Sequence, residues 1–419
     1  MFFSLVWLIA CGVACAAAFR LPPPRAGTVF ALALGVRLVP ALVFRIPHGA
    51  IMAFDMESMR LVAQMLRAGQ DVYVQAARHP YLPLQMYFMA LASFVADHSA
   101  FPFEVLVKLP AIVADAAIPI LLVRWTTGGA SRQATQRLAW IYAFNPLSTA
   151  VVSIHGQFDS LPLLFLLASL LLLRDGRAMG AGLLLGLAVL EKSWPVILLP
   201  LALWRVRQWN ARAVLLVCCG LVPLLGIAVY CVLLGVEPWL MLHAVSKYSG
   251  VVGHWGLTLL AKNLCADSAC QGILQAWAFD HAALLLQVAK VVFGGVLLTI
   301  TWWMAAARLE AAAAAIILAF YVFAYGWGYN YLVWVLPFLL LAESPLISAA
   351  YLATATATTL AMFYGYGGVD AGFAFLFAPD SIVWRYGGFS SLPLWLLCAA
   401  ILLRLLWRRN HHRHPRFPA

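Results

Sequence analysis

The sequence predicts an all-α membrane protein, a polytopic bundle of about thirteen transmembrane helices. Three observations carry this. The chain of 419 residues is 64% hydrophobic and only 10% charged, and its mean hydropathy of +0.90 lies far outside the range of soluble domains. Its apolar runs are about 15 to 23 residues long, which at about 1.5 Å per residue suits a hydrocarbon core of roughly 30 Å. Strands of alternating polarity are absent from the pattern, which argues against a transmembrane barrel and leaves helices. The net charge of +11 does not point to nucleic acid. Its basic residues sit in short clusters between apolar runs and form no continuous face, so their distribution is a topology signal.

The first run, "MFFSLVWLIACGVACAAAF", lacks a basic leader and is followed by Arg20 and Arg25, the reverse of a cleaved secretory signal. It reads as a retained helix with its N-terminus outside. The next span, about 27 to 45, then runs outward, and the remaining clusters test that choice. Arg124 to Arg137, Arg174 to Arg177, Arg205 to Arg212, Arg308 and the tail from Arg404 all fall inside, provided that residues 81 to 96 lie along the outer surface and do not cross. Spans follow near 2–19, 27–45, 105–124, 138–153, 159–173, 178–191, 194–204, 213–234, 282–304, 310–325, 329–342, 346–364 and 390–407. The pair around "EKSWP" reads as a broken helix, a form found at substrate sites.

One membrane domain, residues 1–407, therefore accounts for the chain, with a basic cytoplasmic tail at 408–419. Its "HHRH" reads as a solvated basic end. The outside loops are 46–104, 235–281 and 365–389. In the first, Met56, Met59, Val62, Ala63 and Leu66 recur at helical spacing with charges between them, which predicts two juxtamembrane surface helices in that loop. Cys265 and Cys270 share the second loop, where a disulfide and two separate thiols remain equally open.

Polar groups are rare enough in this chain to be conspicuous. "FDMESMR" brings Asp55, Glu57 and Arg60 together. Asp55 is well placed as a helix N-cap with an acidic first turn, or as a general base whose pKa burial would raise. On a helix, Asp55 and Glu57 diverge by about 200°, so both face one ligand only if the helix begins between or after them. "RHPYLPLQMY" adds Arg78, His79 and Tyr81. Lys108 and Asp115 share one face of a span, and Asp115, well inside the bilayer, reads foremost as a structural group, in an ion pair or a hydrogen bond to another span. "HGQFDSL" places His155, Gln157 and Asp159 at an outer turn, where they are candidate substrate contacts. "EKSWP" brings Glu191 and Lys192 to an outer end; Lys192 is either a snorkelling side chain or a phosphate contact neutralised by Glu191. The second loop supplies His243, Lys247, Tyr248, His254, Trp255 and Lys262, and the third Asp370, Asp380, Trp384, Arg385 and Tyr386. Cationic and polar groups gathered on one side suit an anionic headgroup carrying a sugar.

These residues, in this order, resemble the GT-C superfamily of integral-membrane glycosyltransferases, in particular the glucosyltransferases that use dolichyl-phosphate-glucose, with related bacterial mannosyltransferase-like proteins. The resemblance covers about residues 37 to 204. It rests on "FDMESMR", "YLPLQMY", the spacing of Lys108 and Asp115, "HGQFDSL" and "GAGLLLGLAVLEKSWPVILLPLALW", and more weakly on "YNYLVWVLPF" at 329–338. It implies a GT-C fold with two juxtamembrane helices and a polyprenyl-phosphate sugar as donor. Asp55 would be the catalytic base, with Glu57 and Arg60 shaping the site and "HGQFDSL" bordering it. The chain is shorter than the glucosyltransferases and differs from them in its C-terminal half.

The chemistry implied is inverting transfer of a hexose, mannose or glucose, to a lipid-linked, glycan or protein acceptor outside the cytoplasm, with membrane lipids as the remaining partners. A sugar on a polyprenyl phosphate is already activated, so one carboxylate suffices for inversion and no cofactor is required. Some family members use a divalent metal, and the oxygen ligands of Asp55 and Glu57 would suit Mg²⁺ or Mn²⁺. A bacterial inner membrane is the location expected. Two other classes compete: a transporter or lipid flippase that moves its cargo past Asp115, Arg37 and Lys290, and an assembly protein that keeps the fold without the reaction.

Overall fold

The computed structural model describes residues 2–22, 24–44, 51–75, 79–125, 132–247, 254–264, 282–362 and 390–408. Arg78, Tyr248, Cys265, Cys270, Asp370, Asp380, Trp384, Arg385, Tyr386 and the 409–419 tail lie outside the described residues, as do the side chains of Lys247 and Lys262. Among the described residues the regular elements are helical. In chain order they are α1 Phe2–Ala17, α2 Ala26–Val43, α3 Ile51–Arg67, α4 Val72–Gln75, α5 Leu84–Asp97, α6 Phe103–Leu106, α7 Leu109–Trp125, α8 Arg132–Ala143 and α9 Pro146–Ser148. A π-helical stretch, Thr149–His155, leads to α10 Ser160–Arg174 and α11 Ala178–Glu191; a 3₁₀ turn, Trp194–Leu198, leads to α12 Leu199–Arg205. Then come α13 Trp209–Leu234, α14 Pro238–Lys247, α15 Gly256–Leu264, α16 Ala282–Met304, α17 Leu309–Phe323, a 3₁₀ turn at Tyr329–Val333, α18 Leu336–Ala342, α19 Pro345–Leu360 and α20 Leu392–Arg408.

These helices coincide closely with the segments expected from hydropathy. Four stretches are long and apolar enough to cross a bilayer unaided: Ala26–Val43, Phe103–Trp125, Trp209–Leu234 and Gln287–Met304. Apolar helices of 10–17 residues, such as Ser160–Arg174 and Ala178–Glu191, fill the bundle between them. Helix α5, 14 residues long, extends about 21 Å, short of a hydrocarbon core. It packs along α3, where Arg67 bonds Ser93 at 2.8 Å and pairs with Asp97. "EKSWP" is indeed a break: α11 stops at Glu191, Lys192 is extended, and the 3₁₀ turn follows. Helices α10, α11 and α13 form one tightly packed layer. Gly186 makes the last contact close, since a Cβ there would fall 2.7 Å from the Cys219 carbonyl oxygen.

The bundle is keyed by one buried ion pair. Arg37 of α2 and Asp115 of α7 are both fully buried and bond to each other. Asp115 also accepts from Tyr142 (2.8 Å), Ser148 (2.7 Å) and Ser160 (2.6 Å). Arg37 donates to the carbonyls of Ala33 (3.1 Å), Ala143 (2.6 Å) and Tyr142 (3.1 Å) and to the Ser148 hydroxyl (2.9 Å). The reason lies in "NPLS". Pro146 has no N–H, so α8 must end before it and leave its last carbonyls unpaired. Arg37 satisfies two of them, and the Asn145 side chain caps the next turn by accepting from the Ser148 N–H at 2.7 Å. The expectation of a structural ion pair at Asp115 is met.

The two ends of the bundle differ in charge. At one end Arg174 donates to the Trp125 carbonyl (2.7 Å), Arg205 to that of Ala307, and Arg404 to Glu343 (3.2 Å). The first turn of α10 and the break after α11 lie at the other end, about 20 Å away along α10 and α11. Replacing Asp115 with Ala strands a buried guanidinium and should cost about 3–5 kcal/mol. Replacing both partners, as in Arg37→Met with Asp115→Leu, should recover much of that loss. Thermal unfolding of the detergent-purified protein checks both.

Candidate active site

Asp55, His155, Gln157, Asp159 and Lys192 meet at the end of the bundle away from the arginine clusters. Their placement begins with the π-helical stretch that follows the Arg37–Asp115 key. It ends at Gly156, whose φ of +92° is left-handed and ordinarily reserved for glycine. Lys108 satisfies the stretch's last carbonyls, its Nζ donating to Ser153 O and Ile154 O, both at 3.0 Å. A Cβ on residue 156 would lie 2.8 Å from Lys108 Cε and 2.9 Å from Met56 Cε. Thus the turn "HGQ" is pressed onto α3 by glycine, lysine and methionine together.

That contact delivers two side chains to one carboxylate. Gln157 Nε2 donates to Asp55 Oδ2 at 2.6 Å, and His155 Nε2 stands 2.9 Å from the same oxygen. His155 is nearly sealed, whereas the Asp55 side chain is 40% exposed. The expected burial of Asp55 is therefore not found; its carboxylate is gripped at one oxygen and open at the other side. Nor is Asp55 an N-cap. Helix α3 begins at Ile51, because "IMAF" supplies its first turn, so Asp55 lies inside the helix.

The same helix start turns Glu57 and Arg60 away from Asp55. With α3 running through both positions, Glu57 diverges from Asp55 by about 200° and is exposed. Arg60 also faces outward, paired with Glu104 and lying 5.0 Å from the centre of the Phe103 ring. Asp55 and Glu57 thus do not fit one shared Mg²⁺ or Mn²⁺ ion. Among the described residues no three His, Cys, Asp or Glu side chains gather as a metal set.

Asp159 and Lys192 form the wall behind Asp55. Asp159 is fully buried, and its Oδ1 accepts from Lys192 Nζ (2.9 Å) and Trp334 Nε1 (2.7 Å), while Oδ2 accepts from Asn330 Nδ2 (2.6 Å). Lys192 Nζ sits over the rings of Tyr81 (4.9 Å), Phe158 (5.0 Å) and Tyr331 (5.5 Å), a cation–π cage. Both residues, expected to touch substrate, are engaged with protein groups. The partner of Lys192 is Asp159; Glu191, expected in that role, makes no hydrogen bond through either carboxyl oxygen. Asn330 also reaches Gln157 Oε1 at 3.5 Å, so the wall touches the clamp on Asp55. Neither Asn330 nor Trp334 was singled out as a site residue, although "YNYLVWVLPF" carried both.

Aromatic packing extends the wall. Tyr81 meets Phe158 and His79 edge-on, at 5.2 and 5.4 Å between centroids, and His79 meets Tyr73 at 6.1 Å. Tyr73 donates to the Tyr81 carbonyl (2.7 Å), and Tyr230 of α13 bonds Asp71 (2.9 Å), anchoring the loop. His243 lies apart, exposed on α14 beside Trp239. The indole of Trp255 donates to the Tyr321 carbonyl at 2.6 Å and stacks on Trp327, and His254 beside it is buried. The charges proposed for a transport path are committed elsewhere: Arg37 and Asp115 to each other, and Lys290 to the Ser246 carbonyl at 2.7 Å.

Two apolar grooves flank this end. One, about 460 Å³, runs between α1 and α19, lined by Leu8, Gly12, Leu352 and Leu360 among others. Leu8 packs with Ala150, Ile154 and Met362, immediately before His155. The second, about 480 Å³, lies between α5, α7 and α10, and Leu161 lines it two residues past Asp159.

Residues 54–208 match the family model described as alpha-(1->6)-mannopyranosyltransferase, N-terminal domain. The match begins beside Asp55 and covers His155, Gln157, Asp159 and Lys192. It supports a glycosyltransferase role for a membrane protein. A comparison with curated proteins gives no match.

His79 yields a prediction of its own. Burial of its ring pushes its pKa down from 6.5 to about 4, against a hydrogen bond to the backbone of Leu82 that favours the proton. Between those two values the unfolded chain binds more protons than the folded one, so stability falls as pH drops from 6.5 towards 4 and levels off below. The His79→Phe variant should show a shallower loss in thermal melts across that window.

Proposed function

We propose that the protein is an inverting mannosyltransferase that draws its sugar from a polyprenyl phosphate and works on the extracytoplasmic face. The observation that carries this reading is the carboxylate of Asp55, held at Oδ2 by Gln157 and His155, with its side chain 40% exposed, within the segment matched by the mannopyranosyltransferase family model. A base has to be fixed in direction yet open to the acceptor. Asp55 meets both needs.

In the reaction proposed, the acceptor hydroxyl gives its proton to Asp55 Oδ1 as its oxygen bonds the anomeric carbon. The bond from that carbon to the phosphate oxygen breaks on the opposite face, and the polyprenyl phosphate leaves as an anion with the bonding electron pair. His155 and Gln157 hold the carboxylate in register. Asp159 and Lys192 act indirectly, since their ion pair fixes the turn that carries the clamp. The apolar groove between α1 and α19, whose Leu8 belongs to one cluster with Ile154, supports a lipid-borne donor, because an isoprenoid chain needs a greasy track near the chemistry.

Orientation follows from the same reading. Arginine-rich helix ends mark the cytoplasmic side, which puts Asp55 outside, the N-terminus outside and the C-terminus in the cytoplasm. Mannose is favoured over glucose by the description of the matched family. The test is transfer of radiolabel from polyprenyl-phosphate mannose by the purified protein in lipid. Asp55→Asn keeps the shape and the Oδ contact but loses the base, and activity should fall about 10²- to 10⁴-fold. An unchanged rate in that variant removes the mechanism.

A further inference from the structure

The arginine-rich end holds a pocket that the transfer reaction does not use. It has a volume of about 120 Å³ and lies where α16, α17, α18 and α20 end or begin; its walls include Met304, Arg308, Ala311, Glu343, Leu405 and Arg408. Arg308 and Arg408 are 40% and 47% exposed there. Arg404 adds a third guanidinium at 3.2 Å from Glu343, and Arg205, buried behind, donates to the carbonyl of Ala307.

The charges do not balance. Glu343 is the fixed counter-ion of Arg404 and Arg408, at 3.2 and 3.6 Å, and Glu310 is that of Arg308, whose Nε donates to it at 2.7 Å. Among the described residues three arginines at this pocket thus face two carboxylates, an excess of one positive charge around one small space, with Arg205 buried behind. An anion is the natural complement.

The depth of the pocket says what kind of anion. Trp302 and Trp303 precede Met304, Trp407 precedes Arg408, and all three indoles are exposed, as in the aromatic belts found at the level of lipid headgroups. Apolar side chains of Met304, Ala311 and Leu405 form the rest of the wall, which would suit the glycerol and upper acyl segments of a lipid better than a free ion in water. Basic pockets between transmembrane helices are typical seats of acidic headgroups.

We infer that this pocket binds the phosphodiester of an anionic phospholipid, held between Arg308 and Arg408 and pinning α20 to α16 and α17. Glu343 and Glu310 orient the two guanidiniums and leave their outer N–H groups for the phosphate. This inference is independent of the glycosyl-transfer reading, since the pocket and Asp55 lie at opposite ends of α17 and the connection after it.

The test is native mass spectrometry of the full chain released from bilayers holding equal phosphatidylglycerol and phosphatidylcholine. The intact protein should retain the anionic lipid about tenfold over the zwitterionic one. The Arg308→Ala/Arg408→Ala protein should lose that preference. Because removing two arginines could unsettle the helix ends, Ala311→Leu serves as a second variant: it fills the pocket without altering charge and should also abolish retention while helical content and label transfer stay at the intact level. Equal retention of the two lipids by the intact protein overturns the proposal, as does undiminished phosphatidylglycerol retention in the filled variant.

Discussion

The Arg37–Asp115 pair is the constraint on which the site depends. A charge in the membrane interior is tolerated only when it is paired and its remaining hydrogen-bonding capacity is met, and here each partner is used in full. Asp115 gathers donors from α8, α9 and α10, while Arg37 closes the carbonyl end of α8. Five segments are thereby fixed against one another at the point where the chain turns to become π-helical. Everything beyond that turn, including the clamp on Asp55, inherits its position.

A second, smaller network repeats the device nearer the surface. Asp159 and Lys192 are as buried as the first pair, and their companions, Asn330 and Trp334, come from the C-terminal half of the chain. The site is therefore not confined to the segment that resembles mannopyranosyltransferases. The C-terminal half contributes its rear wall, through the 3₁₀ turn Tyr329–Val333 and the indole of Trp334, which stacks on Trp194 with centroids 4.2 Å apart.

Much of this was legible from sequence, for identifiable reasons. Helix limits followed from arginine clusters and prolines, because bilayer thickness and charge exclusion leave little choice, and Gly156 in "HGQ" announced a turn. Asp55, His155 and Gln157 stood out because polar residues are scarce in such a chain. What could not be read was pairing across distance. Asp159 and Trp334 are 175 residues apart, and nothing local says that Asn330 rather than solvent answers a carboxylate. Arg60 was placed beside Asp55 by adjacency in sequence, but a helix separates near neighbours by angle, and its partner proved to be Glu104. The N-cap reading of Asp55 failed because "IMAF", without a capping residue of its own, already forms the first turn of α3.

The π-helical geometry of Thr149–His155 has a consequence for how such a chain can vary. A π turn houses one residue more than an α turn over a similar rise. Loss of a single residue from this stretch would let it tighten into ordinary α-helix with almost no change in length, so the bundle would still close. The imidazole and carboxamide would keep much the same direction, because one residue fewer at the larger per-residue angle of an α-helix covers nearly the same rotation. A difference of one residue in this stretch is therefore absorbed by the helix itself, and the grip on Asp55 would outlast it.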